Sequence, residues 1–340
     1  MTRFPAEAER KRELALQRSG GRLVTSRPWD VRWLLCGRGR PVDVSAPGSP
    51  YTVELAEGVA RVHYADIERS RVLAEERFHE LGYELEPYPW FEGHGLEQTE
   101  PVLDELRRDL CTEEVERYRA AGADTADAMR QTLESLRPEL TELEAAAELA
   151  RQAWRRGLVP VVDLVAGAER QKVHRHPLPT EAPLGGHALL AITAEREGLH
   201  VSMTRLVSFG PPPEKLAQLL EACAEVDAAY IAASRPGATL GDAFAAGKRA
   251  YAEQGFPEEW RGHHQGGLTG YRGREVFAVP GEPARIPSCA AFAWNPSIAG
   301  GAKSEDTVLG SEDAVEVLTR TPGLGELETT GLERPAIVEL

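Results

Sequence analysis

The sequence predicts an α+β protein of two domains, and three features of the chain carry that reading. Its 340 residues exceed what one compact core usually spans. Between residues 10 and 92 short β-like runs alternate with a helical pattern, whereas from about 100 to 156 apolar residues recur at three- and four-residue spacing. Beyond Gly157 helical and apolar strand-like segments are mixed, and this region holds every histidine cluster, so function is expected there.

The first domain, residues 1–99, is expected to be a small α/β unit. The runs "GRLVTS", "RWLLCG", "YTVELA" and "VARVHY" read as β-like, and 66–81 as helical. The second, 100–340, opens with two or three amphipathic helices. They are marked by Leu103, Leu106 and Leu110, by Val115 and Tyr118, by Met129, Leu133 and Leu136, and by Leu140 and Leu143, with breaks expected near Gly122 and Pro138. Three apolar runs follow, "LVPVVDLVAG", "HALLAIT" and "HVSMTRLVSFG", then a long helical tract at 213–234. Pro236 and Gly237 signal a turn before another helix closed by Gly255, and the last third is strand-and-turn material.

Acidic side chains outnumber basic ones by 54 to 39, a net charge of −15, with no Lys/Arg run to offset it. Nucleic acid and anionic membrane surfaces are therefore not expected as partners, and small molecules or proteins are. Cys36, Cys111, Cys223 and Cys289 stand far apart with no CxxC spacing, against a zinc knuckle or a disulfide framework. The first twenty residues contain no apolar core of a secretory signal, and no apolar stretch approaches the roughly 20 residues that span a bilayer. A cytoplasmic protein is expected.

The chemistry-bearing residues gather in three places. "HRHPLPT" carries His174 and His176, "RGHHQGGLTGYRGRE" carries His263, His264, Gln265 and Tyr271, and "WNPSIAGGAKSED" carries Asn295, Lys303 and Glu305. Imidazole is the side chain suited to moving a proton near neutral pH. A carboxylate in an apolar-flanked stretch, such as Glu305, needs a partner to stay charged, and Lys303 is the nearest. Plain turns would explain the prolines and glycines equally well. Adjacent side chains of an extended segment point to opposite faces, so one of His263 and His264 is expected to enter the site.

Taken together, "HRHPLPT", "ALLAITAEREGLHVSMTRLVSFG", "GHHQGGLTGY" and "AFAWNPSIAGGAKSEDTVL" resemble the pita-bread superfamily of methionine aminopeptidase, the Xaa-Pro peptidases and creatinase. The resemblance implies the pita-bread fold for the second domain, with a small α/β domain before it as in the creatinase-like branch. In the peptidases of that superfamily two metal ions are held by two aspartates eleven residues apart, a histidine and two glutamates. Carried onto this chain, the aspartates fall on Ala191 and Ser202, the histidine on His263 or His264, the first glutamate on Asn295, and only the second is retained, as Glu305. No metal and no other cofactor are then expected, because alanine, serine and asparagine cannot replace bridging carboxylates.

What remains resembles creatinase, the metal-free member. It implies a hydrolase acting on an amide or guanidino C–N bond of a small carboxylate-bearing substrate, with a lyase or isomerase step as the variant chemistry. His174 or His176 would transfer the proton. His263, His264, Gln265, Tyr271, Asn295 and Lys303 would orient substrate or stabilise developing charge, and Glu305 would hold its NH-bearing end. "WLLCGRGRP" resembles the stretch whose arginine reaches the partner's site, which implies a homodimer in which Arg40, or Arg38, binds the substrate carboxylate. Two other readings compete: a peptidase-derived binding module without catalysis, and a true Xaa-Pro metallopeptidase using other aspartates.

Overall fold

The β-like runs of the first domain form strands where their alternation is clean. In this computed structural model, which describes residues 4–312 and 314–340, helix α1 (Phe4–Arg18) leads into β1 (Arg22–Thr25) and α2 (Pro28–Leu34). Strands β2 (Tyr51–Ala56) and β3 (Val59–Ala65), a single turn α3 (Arg69–Arg71) and β4 (Glu84–Tyr88) follow. The sheet order is β1-β2-β3-β4, antiparallel except for the parallel β3–β4 pair. Alternation along β2 buries Tyr51, Val53 and Leu55.

Two expectations fail here. "RWLLCG" forms the end of α2 and the turn after it, not a strand, because Pro28 suits the first turn of a helix and Val31, Leu34 and Leu35 follow at helical spacing, all buried. Residues 66–81 do not make one helix either. Arg77 adopts φ 52°, a left-handed conformation that ends a π-type turn at Val72–Glu76 before a 3₁₀ turn at Phe78–Leu81.

The described residues divide into two compact units. One runs to Arg117 and includes Glu197–Leu199 and Gly270–Arg272; the other comprises Tyr118–Arg196, His200–Thr269 and Gly273–Leu340. The change of sequence pattern lies near residue 100, while the division at Arg117 falls inside helix α4 (Thr112–Ser135). That helix runs unbroken through Gly122, contrary to the expected break. A Cβ on Gly122 would lie 2.6 Å from the Leu318 carbonyl oxygen, so the glycine serves close packing rather than a turn. Leu103, Leu106 and Leu110 do not lie on a helix beyond a 3₁₀ turn at Leu106–Arg108. The break at Pro138 is real: helix α5 (Glu142–Arg155) starts afresh from a Thr141/Glu144 capping box.

In the second unit β5 (Val159–Gly167), a single turn α6 (Ala168–Gln171), β6 (His187–Arg196) and β7 (Leu199–Ser208) precede helices α7 (Glu214–Ala233) and α8 (Leu240–Glu253). Strands β8 (Gly266–Thr269), β9 (Val276–Phe277), β10 (Cys289–Trp294), β11 (Ser297–Ile298), β12 (Ala302–Lys303), β13 (Asp306–Ser311) and β14 (Val315–Val317) follow. Three short strands end the chain: β15 (Glu326–Leu327), β16 (Arg334–Pro335) and β17 (Val338–Glu339). One sheet has the order β17-β7-β6-β5 and another β14-β13-β10-β8-β9. Leu164, Leu189 and Leu206 of the first sheet, Phe292, Trp294 and Val308 of the second, and the apolar faces of α7 and α8 share one core. No helix among the described residues is long and apolar enough to cross a membrane.

Asp163 on β5 is an exception to good polar pairing. Its Oδ1 is buried with no hydrogen-bond partner among the described residues, and burial pushes the carboxyl up to about 7. The folded chain thus keeps this proton to near neutrality, while the unfolded chain loses it near the ordinary value. Stability falls as pH rises between those two values and stays reduced above the upper one. Asp163→Asn is expected to have little effect near pH ~4 and to stabilise by up to a few kcal/mol above pH ~8. Thermal unfolding of both proteins across that range is the check, and a pH-independent gap would mean that Asp163 ionises normally.

Candidate functional site

Three segments of the second unit build the site: the loop after α6, the turn before β8, and the β12–β13 stretch. The loop carries His176, ahead of buried Pro177. The turn carries His263 and His264 ahead of Gly266, where φ is 98° and a Cβ would lie 2.0 Å from the Ala293 carbonyl oxygen. Glycine is thus required for β8 to seat against β10 directly behind the histidines.

The three rings converge. Centroids lie 4.5 Å apart for His176–His263, 5.4 Å for His176–His264 and 4.4 Å for His263–His264, and each ring offers a nitrogen within 4.8 Å of the others. The expectation that only one of His263 and His264 faces the site therefore fails. The chain folds back so that His263 Nδ1 is hydrogen-bonded to the carbonyl of His264 itself.

The hydrogen bonds set the tautomers. A carbonyl only accepts, so His263 Nδ1 carries the proton and its Nε2 is a lone pair. That lone pair lies 2.8 Å from His176 Nε2, which must then donate, leaving His176 Nδ1 open. Burial, Lys303, His264 and His176 push His263 down to about 2. His264 and His176 reach the surface, but partial desolvation still lowers His264, with Arg274 and His176, and His176, with Lys303. His263 therefore accepts a hydrogen bond without taking a proton.

Beside the imidazoles, Glu305 sits between two cations. Arg274 approaches its Oε1 at 3.3 Å, Lys303 Nζ lies 3.5 Å from Oε2, and the Thr204 hydroxyl donates to Oε2 at 2.7 Å. Burial alone would raise this carboxyl, but Lys303, Arg274 and the Thr204 bond outweigh it and hold Glu305 below its ordinary value. The group is one carboxylate and two buried cations. Arg274 keeps Nε buried with no hydrogen-bond partner among the described residues. Arg274 and Thr204 are functional candidates that the sequence reading missed. For Arg274 a signal existed, since a basic residue follows the glycine-rich turn; for Thr204 none did.

The other expected positions lie elsewhere or are already engaged. Ala191 is core. Ser202 is knitted to Thr193 at 2.9 Å and, through its backbone, to Thr307. Asn295 is buried with its Oδ1 lacking a partner among the described residues, and its N–H bonds to the Gln265 carbonyl. Gln265 does not present its amide to a substrate: Oε1 accepts from Tyr251 and Tyr230, and Nε2 donates to the Trp260 and His263 carbonyls. It fastens the histidine turn to the core.

Tyr271 belongs to the first unit, where its hydroxyl donates to Glu114 at 2.8 Å and receives Lys11 and Arg117 at 3.2 and 3.3 Å. That saturates it, so its expected substrate role has no free atom to act through. His174 is exposed and, with Arg175, Ser297, Gly300, Gly301 and Lys303, lines a cavity of about 210 Å³ rather than joining His176. Arg40 is exposed in the first unit.

Residues 116–312 match metallopeptidase family M24. The chain belongs to that family. It is 27% identical over 230 residues to the probable dipeptidase PepE of Mycobacterium tuberculosis, covering 65% of this chain and 61% of that protein. The chain thus spans about 61% of the length of the curated relatives it first matches. The crystal structure of dipeptidase PepE from Mycobacterium ulcerans superposes with a TM-score of 0.76 at 19% identity over 99% of both chains. The prolidase from Pyrococcus horikoshii does so at 0.75 and 15% identity, over 93% of this chain and 98% of that one. The fold of this family M24 chain is therefore the pita-bread α+β fold that the four motifs implied.

The family is one of metallopeptidases, and the residues present here do not fit a metal pair. Two divalent ions need several carboxylates, whereas this site holds Glu305 alone, already shared between Lys303 and Arg274, with an alanine, a hydroxyl-bonded serine and a neutral amide at the other positions.

Proposed function

We propose that this family M24 chain hydrolyses an amide or guanidino C–N bond of a small carboxylate-bearing substrate, in the creatinase-like manner and without a metal pair. The observation that carries the reading is the charge balance of the site, one carboxylate against two buried cations beside neutral imidazoles. Such a site suits an anionic substrate and proton transfer, and it repels a pair of divalent ions.

His176 is the proton-transferring group in this reading. Its Nε2–H is anchored on His263, so Nδ1 takes a proton from water as the water adds to the scissile carbon. The same nitrogen returns that proton to the departing nitrogen. His264 supplies an N–H toward the developing oxyanion, Glu305 holds an N–H of the substrate, and the Nε–H of Arg274 with Lys303 receives the carboxylate. Arg40 of a second copy is the further carboxylate ligand that a homodimer would provide.

The test is turnover of N-acyl amino acids, guanidino acids and dipeptides, Xaa-Pro among them, by protein stripped with a chelator. Turnover that survives stripping supports the reading. Turnover that appears only on adding Mn²⁺ or Co²⁺ would replace it with a metallopeptidase.

A further inference from the structure

We propose that His176, His263 and His264 form a binding site for one transition-metal ion of the Zn²⁺ or Ni²⁺ class. The three rings come from two separate segments and each brings one nitrogen within 4.8 Å of the others, which is the spread that a single tetrahedral ion draws together. His263 is already held as a metal-binding imidazole is held, with its Nδ1 bound to a backbone carbonyl and its Nε2 turned to the cluster. His176 and His264 are exposed, so an ion has an entry path and water for its fourth position.

The proton between His176 and His263 is what the ion must displace. It moves to the other nitrogen of His176, so the ring stays neutral and no further acid or base is needed. An all-imidazole set favours borderline ions over Mn²⁺, Mg²⁺ or Ca²⁺, which require oxygen ligands. Lys303 and Arg274 exceed Glu305 by one positive charge, so binding is expected to be weaker than at a structural zinc site. The site differs from a carboxylate-bridged pair in ligands and in stoichiometry. With an ion on His176 Nε2 the displaced proton sits on Nδ1, the nitrogen assigned above to proton transfer, so the loaded protein should be the inactive form.

The test needs no substrate. The full chain, stripped with chelator, is dialysed against Zn²⁺ and separately against Mn²⁺, and bound metal is counted by elemental mass spectrometry. About one Zn²⁺ per chain and little Mn²⁺ are expected. His176→Ala and His264→Ala, at exposed positions where the core does not depend on the ring, should each weaken Zn²⁺ at least tenfold, while His174→Ala two residues away should not. Circular dichroism confirms folding of each variant. No retained Zn²⁺, or retention unchanged in both triad variants, would overturn the site, as would two Mn²⁺ per chain.

Discussion

Replacing His176 by alanine is expected to lower turnover by about 10²–10⁴-fold, the usual range for a positioned general acid or base, with little change in KM. The ring is exposed, and its packing contributes little to the core, so folding should survive. Glu305→Gln should also reduce turnover strongly, by a different route. Glutamine keeps the shape but leaves Lys303 and Arg274 buried without their shared counter-ion, so substrate binding and kcat should fall together. Steady-state kinetics on whichever substrate the screen identifies will separate the two cases. Wild-type rates in both variants would remove the site from the mechanism.

The second large effect is on stability. Arg334 is almost fully buried, donates from Nε to Asp227 at 2.8 Å and reaches Asp306 at 2.9 Å, while Arg205 holds the other oxygen of Asp306 at 2.8 Å. Arg334→Met should cost about 3–5 kcal/mol, because it leaves Asp227 buried with the Ser304 hydroxyl as its one remaining side-chain donor among the described residues. Urea unfolding with an unchanged m-value is the measurement, and a loss below about 1 kcal/mol would show that the network is dispensable. Asp306 directly follows Glu305, so the same variant is expected to loosen the Glu305 carboxylate and, on the proposed function, to depress turnover in protein that is still folded.

Much of the site was legible in the sequence because its chemistry is local. "HRHP", "GHHQGG" and the Lys303–Glu305 stretch each announce polar groups held among prolines, glycines and apolar residues, and the structure brings His176, His263 and His264 together, with Lys303 and Glu305 paired. Gln265 and Tyr271 were equally legible as residue types and equally misleading as to role. A tyrosine hydroxyl or an amide reads the same in sequence whether a substrate or another side chain saturates it. Here Tyr251 and Tyr230 occupy one, and Glu114, Lys11 and Arg117 the other.

The sequence by itself determined the α+β class, the strand character of β2 and β3 and the helices α7 and α8, since these follow from periodicity. Only the tertiary structure decided which histidine joins which. It placed both His263 and His264 against His176, set Arg274 beside Glu305, and made Gly122 a packing glycine within α4 instead of a break. The reason is physical: spacing along a chain constrains neighbours within a turn or a strand, whereas protonation, tautomer and charge pairing depend on groups up to a hundred residues away that burial forces into contact.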